Sequence, residues 1–170
     1  HGVAVPNGFV ICQSVLKIFQ EKQELPSGFT SDLDNALSTL ESKKLIIRSS
    51  AIGEDSESHS FAGQLDSYVV ENQKELILDK VKKCWEGLSN DRLKAYQKVS
   101  GIALLEMAVV VQEFVEADYA GVTFTQSPNA KDEIYTEYVK GAGEQLVAGI
   151  ITPQNFSLEQ GEIAPNTLPF

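Results

Sequence analysis

The sequence is short of cysteine, of positive charge and of long apolar runs, and each shortage excludes a class of protein. The two cysteines, Cys12 and Cys84, lie far apart without Cys-x-x-Cys spacing, so neither a disulfide framework nor a zinc site is indicated. The 24 acidic residues exceed the 14 basic ones, and the net charge of −10 leaves no basic surplus for nucleic-acid phosphates. The longest clean apolar run, residues 107–111, is far shorter than the roughly 20 residues of a membrane-spanning helix. We therefore expect a cytoplasmic protein that binds neither nucleic acid nor membranes.

Common nucleotide- and metal-binding motifs are also missing. The Gly-x-Gly-x-x-Gly and Gly-x-x-x-x-Gly-Lys-[Ser/Thr] patterns are absent, which argues against Rossmann and P-loop nucleotide sites. The carboxylates of Glu54, Asp55 and Glu57 do not match a calcium-binding loop, and His59 has no identifiable nucleophile as a partner. The 42% of hydrophobic residues and 22% of charged residues are typical of a globular chain that buries a core in one domain or two small lobes.

The spacing of apolar residues predicts helices and strands in alternating groups. Apolar positions three and four residues apart predict helices at 14–21, 32–42, 73–87 and about 90–100. Short apolar runs predict strands at 9–11, 45–47, 67–70, 107–112, 120–125 and 134–139. We expect the strand at 107–112 to be central, with the last two strands as its antiparallel partners. The prediction is an α+β fold with a mixed or antiparallel sheet and flanking helices, in lobes of about 1–106 and 107–170.

Arg48 and the segment after it form the part of the sequence best suited to a phosphate. Arg48 stands at the predicted end of an apolar strand and is followed by Ser49 and Ser50. A guanidinium there can bind a phosphate or carboxylate bidentately, and the hydroxyls can add neutral donors. Residues 51–63 show no periodicity and predict a mobile lid that closes with Gly63. A salt-bridged arginine before an ordinary polar turn would give the same pattern, so both interpretations stay open.

A resemblance to a known family extends along nearly the whole chain. The segments that carry it stand in the family's order: VPNGFVI at 5–11, IRSSAIGED at 47–55, SFAGQLDSY at 60–68, MAVVVQEFV at 107–115, AGVTFT at 120–125 and GAGEQLVAG at 141–149. The sequence resembles the N-terminal ATP-binding domain of the pyruvate phosphate dikinase and phosphoenolpyruvate synthase family. The resemblance implies a partial ATP-grasp-type nucleotide-binding fold, with adenine held between two lobes.

The same resemblance implies roles for particular residues. Arg48 would bind phosphate oxygens and act catalytically, with Ser49 and Ser50 beside it. The closing end of the lid would consist of Gly63, Gln64, Asp66 and Ser67, where the family usually has threonine at the position of Ser67. The adenine hinge would consist of Gln112 and the backbone of Glu113, Phe114 and Val115, and Glu137 would face the ribose.

The reaction implied for the whole enzyme is transfer of phosphate from ATP, through a phosphohistidine, to pyruvate or another acceptor. ATP and Mg²⁺ are the implied cofactors. The family's Gly-Lys-Gly stretch would precede His1, and its metal ligands would follow Phe170. Two alternatives stay open: an ATP-binding domain of a rifampin phosphotransferase, and a non-catalytic fragment. We expect the chain by itself to bind ATP weakly and to be inactive.

Overall fold

The computed structural model describes residues 4–51, 55–56, 59–60, 67–88, 107–127 and 132–159. Its helices and antiparallel sheets confirm the predicted α+β class. The chain divides into two compact units, His1–Phe114 and Val115–Phe170. The predicted boundary between residues 106 and 107 would separate the strand that begins at residue 107 from its sheet, because that strand pairs with other strands of the first unit.

The first unit contains one four-stranded sheet and, among the described residues, three helices. Its elements are β1 (Gly8–Ile11), α1 (Gln13–Lys22), α2 (Phe29–Leu37), β2 (Lys44–Ala51), β3 (Asp55–Ser56), β4 (His59–Ser60), β5 (Ser67–Glu71), α3 (Lys74–Gly87) and β6 (Met107–Glu113). The strand order is β1-β6-β2-β5, and each neighbouring pair is antiparallel. Strands β3 and β4 pair only with each other.

The core lies on one face of this sheet because apolar side chains alternate along its strands. Buried residues of β2 and β6 are Leu45, Ile47, Ala51, Met107, Val109 and Val111. The same cluster contains Ile11 of β1, Leu40 and Leu88, together with residues of the three helices: Leu16, Phe29, Leu33, Ile77, Val81, Cys84 and Trp85. The intervening side chains of the strands are half-buried or exposed. We call this second surface the open face; its central members are Ile46, Arg48, Ser50, Ala108, Val110 and Gln112.

The helix predictions agree with the structure where it describes the chain. The predicted helices at 14–21 and 73–87 correspond to α1 and α3, whose ends differ by one residue. Helix α2 begins three residues before the predicted 32 and ends five before the predicted 42. The predicted helix at about 90–100 lies outside the described residues. No helix in the described part of the chain is long and apolar enough to cross a membrane.

The second unit has its own antiparallel sheet. Its elements are β7 (Tyr119–Phe124), β8 (Glu133–Lys140), α4 (Glu144–Val147) and β9 (Gln154–Glu159), and the strand order is β7-β8-β9. The prediction that β7 and β8 would pair with β6 is wrong. Both sides of β6 are occupied by β1 and β2, so no ladder position remains for them.

Candidate nucleotide-binding face

Arg48 lies in the middle of β2 and not at its end as predicted. The strand continues three residues further, because β6 pairs with it as far as Ala51 opposite Met107. Arg48 stands opposite Val110 on one side and Ser67 on the other. Its side chain is exposed, and within the described ranges it has neither an ion-pair nor a hydrogen-bond partner. The strand therefore presents a guanidinium whose donors are not used by the described part of the fold.

The open face brings several of the predicted site residues together. Side chains two apart on a strand share a face, so Ser50 lies on the same side of β2 as Arg48. The register places Ser67 directly across from Arg48 on β5. It also places Gln112 of β6 across from Ile46, two positions from Arg48. An arginine, two hydroxyls and an amide consequently share one side of the sheet.

Of the other residues predicted to bind phosphate, the structure describes only Ser49. Ser49 is half-buried and belongs to the opposite face, with Ile47 and Ala51. Ser49 also has an interaction of its own within the structure. Gly63, Gln64 and Asp66 lie outside the described residues, as does most of the predicted lid.

The predicted hinge is built into the end of β6 by specific hydrogen bonds. The side-chain amide of Gln112 donates from Nε2 to the carbonyl of Pro6 at 3.0 Å. The backbone N–H of Glu113 donates to the Asn7 carbonyl at 2.8 Å, and that of Phe114 to the Lys44 carbonyl at 3.0 Å. Neither N–H is therefore available to a ligand. Of the three hinge amides, only that of Val115 donates no hydrogen bond within the described part of the chain.

The Glu113 side chain has a role that sequence reasoning missed. Its Oε1 accepts the backbone N–H groups of Glu41 at 2.7 Å and Ser42 at 3.0 Å. The carboxylate thus attaches the connection between α2 and β2 to the end of β6. A signal was present in the sequence: Glu113 follows Val109 and Val111 at the spacing of the buried face, where a charge needs hydrogen-bond donors.

Glu137, the residue predicted to face the ribose, belongs to the second unit. It is half-buried in β8, opposite Val122 of β7 and Asn155 of β9. Its Oε1 accepts a hydrogen bond from the Tyr135 hydroxyl at 3.1 Å. Partial burial, and then this hydrogen bond, raise the pKa of Tyr135 above its ordinary value.

Metal ligands were predicted to lie outside this chain. Within the residues that the structure describes, no three His, Cys, Asp or Glu side chains are grouped so as to hold a metal ion.

An exposed arginine that no described residue pairs can bind a phosphate or a carboxylate through two parallel hydrogen bonds. Comparison with known families identifies the class of protein. The family described as the pyruvate phosphate dikinase AMP/ATP-binding domain matches residues 13–164. The chain belongs to this family, which confirms the resemblance seen in its sequence.

Similar proteins carry names of several phosphotransferases. The uncharacterized phosphotransferase YvkC of Bacillus subtilis is 33% identical over 92% of this chain and 21% of its own length. The phosphoenolpyruvate synthase of Pyrococcus furiosus is 32% identical over 81% of this chain and 18% of its own. A rifampicin phosphotransferase of Bacillus cereus is 34% identical over 72% of this chain and 14% of its own. The chain thus spans about a fifth or less of the length of these relatives.

Proposed function

We propose that this chain binds ATP for an enzyme that transfers phosphate from ATP, through a phosphohistidine, to pyruvate. The family description names AMP and ATP as ligands, and one relative is named a phosphoenolpyruvate synthase. The observation that carries the proposal is Arg48, which is exposed on the open face without a partner among the described residues. A cytoplasmic location is part of the same proposal.

In this proposal each residue of the open face has a separate task. The Arg48 guanidinium pairs with two oxygens of one phosphate, which a lysine ammonium cannot do with the same geometry. The hydroxyls of Ser50 and Ser67 add neutral donors to phosphate oxygens. The N–H of Val115 is available to a ring nitrogen of adenine, and Gln112 holds the strand end through Pro6.

Charge compensation also explains a need for Mg²⁺. The chain carries a net charge of −10, and a triphosphate adds several more negative charges. Mg²⁺ bound to the phosphates would offset part of that repulsion, with ligands from residues other than those described. The order of importance that we propose is Arg48 first, then Mg²⁺, then the hydroxyls.

Rifampicin is a second candidate acceptor, because some relatives are named for its phosphorylation. The protein of Bacillus cereus is called a rifampicin phosphotransferase, and it matches this chain at an identity similar to that of the phosphoenolpyruvate synthase. The two functions share ATP as donor and differ in acceptor. Incubation of the complete enzyme with ATP and either pyruvate or rifampicin, followed by detection of the phosphorylated product, separates them.

The ATP proposal is tested by ligand-observed NMR on the chain with ATP and Mg²⁺. We expect a dissociation constant no tighter than about 1 mM, because one arginine opposes a large negative net charge. Arg48→Ala should weaken binding at least tenfold, and Arg48→Lys should recover only part of the loss. Lys43→Ala is the matched control, because the side chain of this exposed lysine has no partner among the described residues. Equal affinity of the wild type and Arg48→Ala would refute the proposal.

A further inference from the structure

The second unit contains a cleft of about 340 Å³ that the nucleotide proposal does not use. Its walls include Tyr119, Tyr138, Lys140, Ile151, Thr152 and Gln154. The sheet register explains how they meet. Lys140 stands opposite Tyr119, and Gln154 stands opposite Tyr138, so these four side chains share one face of the three-stranded sheet.

Lys140 is unusual in its electrostatic surroundings. It is the one basic residue among the described residues of the second unit, 115–127 and 132–159, which carry seven Asp and Glu side chains. Yet Lys140 forms no side-chain ion pair or hydrogen bond within the described part of the chain. The ammonium is therefore available to a ligand anion, in a unit where negative charge otherwise predominates.

The other walls supply apolar and polar contacts. The rings of Tyr119 and Tyr138 lie edge to face with centroids 6.2 Å apart. Such a pair offers an aromatic surface beside the lysine, and Ile151 extends the apolar part. The hydroxyl of Thr152 and the amide of Gln154 add hydrogen-bonding groups. Small-molecule sites commonly combine an apolar wall with a few polar groups, at volumes of about 300 Å³ and above.

We propose that this cleft binds a small organic anion, a planar ring that bears a carboxylate or a phosphate. The Lys140 ammonium pairs with the anionic group, the tyrosine rings contact the planar body, and Thr152 and Gln154 hydrogen-bond its polar edge. The site lies wholly within the second unit. This proposal does not depend on ATP binding at Arg48.

The test is a titration of the isotope-labelled chain with benzoate, phenyl phosphate and neutral benzamide, followed by amide NMR shifts. We expect both anions to shift amides near the cleft, such as Gly141, Ile151 and Thr152, and benzamide to bind at least tenfold more weakly. The anion that binds more tightly identifies the preferred group. Lys140→Met should weaken anion binding at least tenfold, Lys140→Arg should retain most of it, and Thr152→Val should weaken it severalfold.

One variant serves as the control for this titration. Lys43→Met makes the same change of charge outside the cleft and should bind the anions as the wild type does. The proposal is overturned if no anion shifts the cleft amides at 20 mM, if benzamide binds equally well, or if Lys140→Met binds like Lys43→Met. Unchanged amide shifts elsewhere in Lys140→Met establish that this variant is folded.

Discussion

At the scale of single residues, the polar side chains of β2 and β6 divide into those that stabilise the fold and those left for a ligand. Glu113 accepts two backbone N–H groups and Gln112 donates to Pro6, so both have structural tasks. Arg48 has no such task among the described residues, although Ile47 beside it, and Val111 opposite Ile47, are fully buried. The two kinds of residue should respond differently to substitution.

Arg48→Ala should leave the free energy of unfolding within about 0.5 kcal/mol of the wild type, as for most exposed positions. Denaturant unfolding measures this, with Ile47→Ala as the contrasting variant. Removal of that buried side chain should cost about 2 to 5 kcal/mol. A large destabilisation by Arg48→Ala would assign the arginine to the fold and remove the basis for its role with ATP.

Glu113→Ala should destabilise the chain by about 1 to 3 kcal/mol, because two backbone N–H groups lose their acceptor. Glu113→Gln keeps an acceptor oxygen at the same place and should lose less. Glu24→Ala, at an exposed glutamate, is the control in the same denaturant experiment. Equal stability of Glu113→Ala and Glu24→Ala would show that the carboxylate does not hold the connection to β2.

Tyr135 should lose its proton at higher pH than an ordinary tyrosine, since partial burial and Glu137 raise its pKa. Its contribution to stability is complete below the unfolded pKa of about 10 and is lost as the pH rises through the folded value. Ultraviolet titration of phenolate, with Tyr135→Phe to identify the signal, measures the shift. Glu137→Gln should move the midpoint downward, and no movement would exclude this glutamate as a cause.

At the scale of elements, the contact between β1 and β6 depends on the absence of a side chain at Gly8. A Cβ atom there would lie 2.5 Å from the Val111 carbonyl oxygen and 2.9 Å from the Cα of Gln112. Both neighbours are backbone atoms of the central strand, which cannot move aside without disturbing its ladder. The start of β1 therefore fits the end of β6 only with glycine.

Gly8→Ala should accordingly destabilise the chain by about 1 to 3 kcal/mol, the usual cost of overpacking. Gly87→Ala provides a matched control, because nothing lies within 4 Å of a Cβ at this helical position. That substitution should be neutral or stabilise by up to about 1 kcal/mol. Thermal unfolding compares the two variants with the wild type. A melting temperature of Gly8→Ala equal to that of the wild type would contradict the close approach of β1 to β6.

The sequence was informative about elements whose pattern is local. The apolar stripe of α3 and the β-branched run of β6 each predicted the correct element, because burial on one side determines their periodicity. Strand partners were not predictable in the same way. β6 pairs with β1, about 100 residues earlier in the chain, while β7, its next strand in the described sequence, pairs elsewhere. Strand β9 was missed, since its exposed and half-buried residues give a weak apolar signal.

Strand pairing between distant segments also limited how much of the candidate site could be predicted. The position after a predicted strand indicates Arg48 and Ser50, and the family resemblance adds Ser67 and Gln112. Their common face follows from strand pairing that no local pattern contains. Ser49 was grouped with them because the predicted strand ended at residue 47. Once the strand is known to reach Ala51, alternation assigns Ser49 to the other face. The structural role of the Glu113 carboxylate could not be predicted without knowing which loop donates hydrogen bonds to it.

At the scale of the whole molecule, each of the two units exposes a cationic side chain that has no partner among the described residues. The first unit has a helix-covered face that contains the core and an open face that carries Arg48. The second unit has a cleft that carries Lys140. Because the overall charge is −10, each of these cations is a place where an anionic ligand meets attraction in a chain that otherwise repels it. The same charge predicts that ATP binds more weakly when Mg²⁺ is withheld.

The most direct test of the central claim is an amide NMR map of the chain with saturating ATP and Mg²⁺. We predict that the largest shifts fall on the middle of β2, the facing part of β6, the start of β5 and Val115, and that Arg48→Ala removes them. Shifts confined to α1, α2 and α3, or to the Lys140 cleft, would contradict the assignment of ATP to the open face.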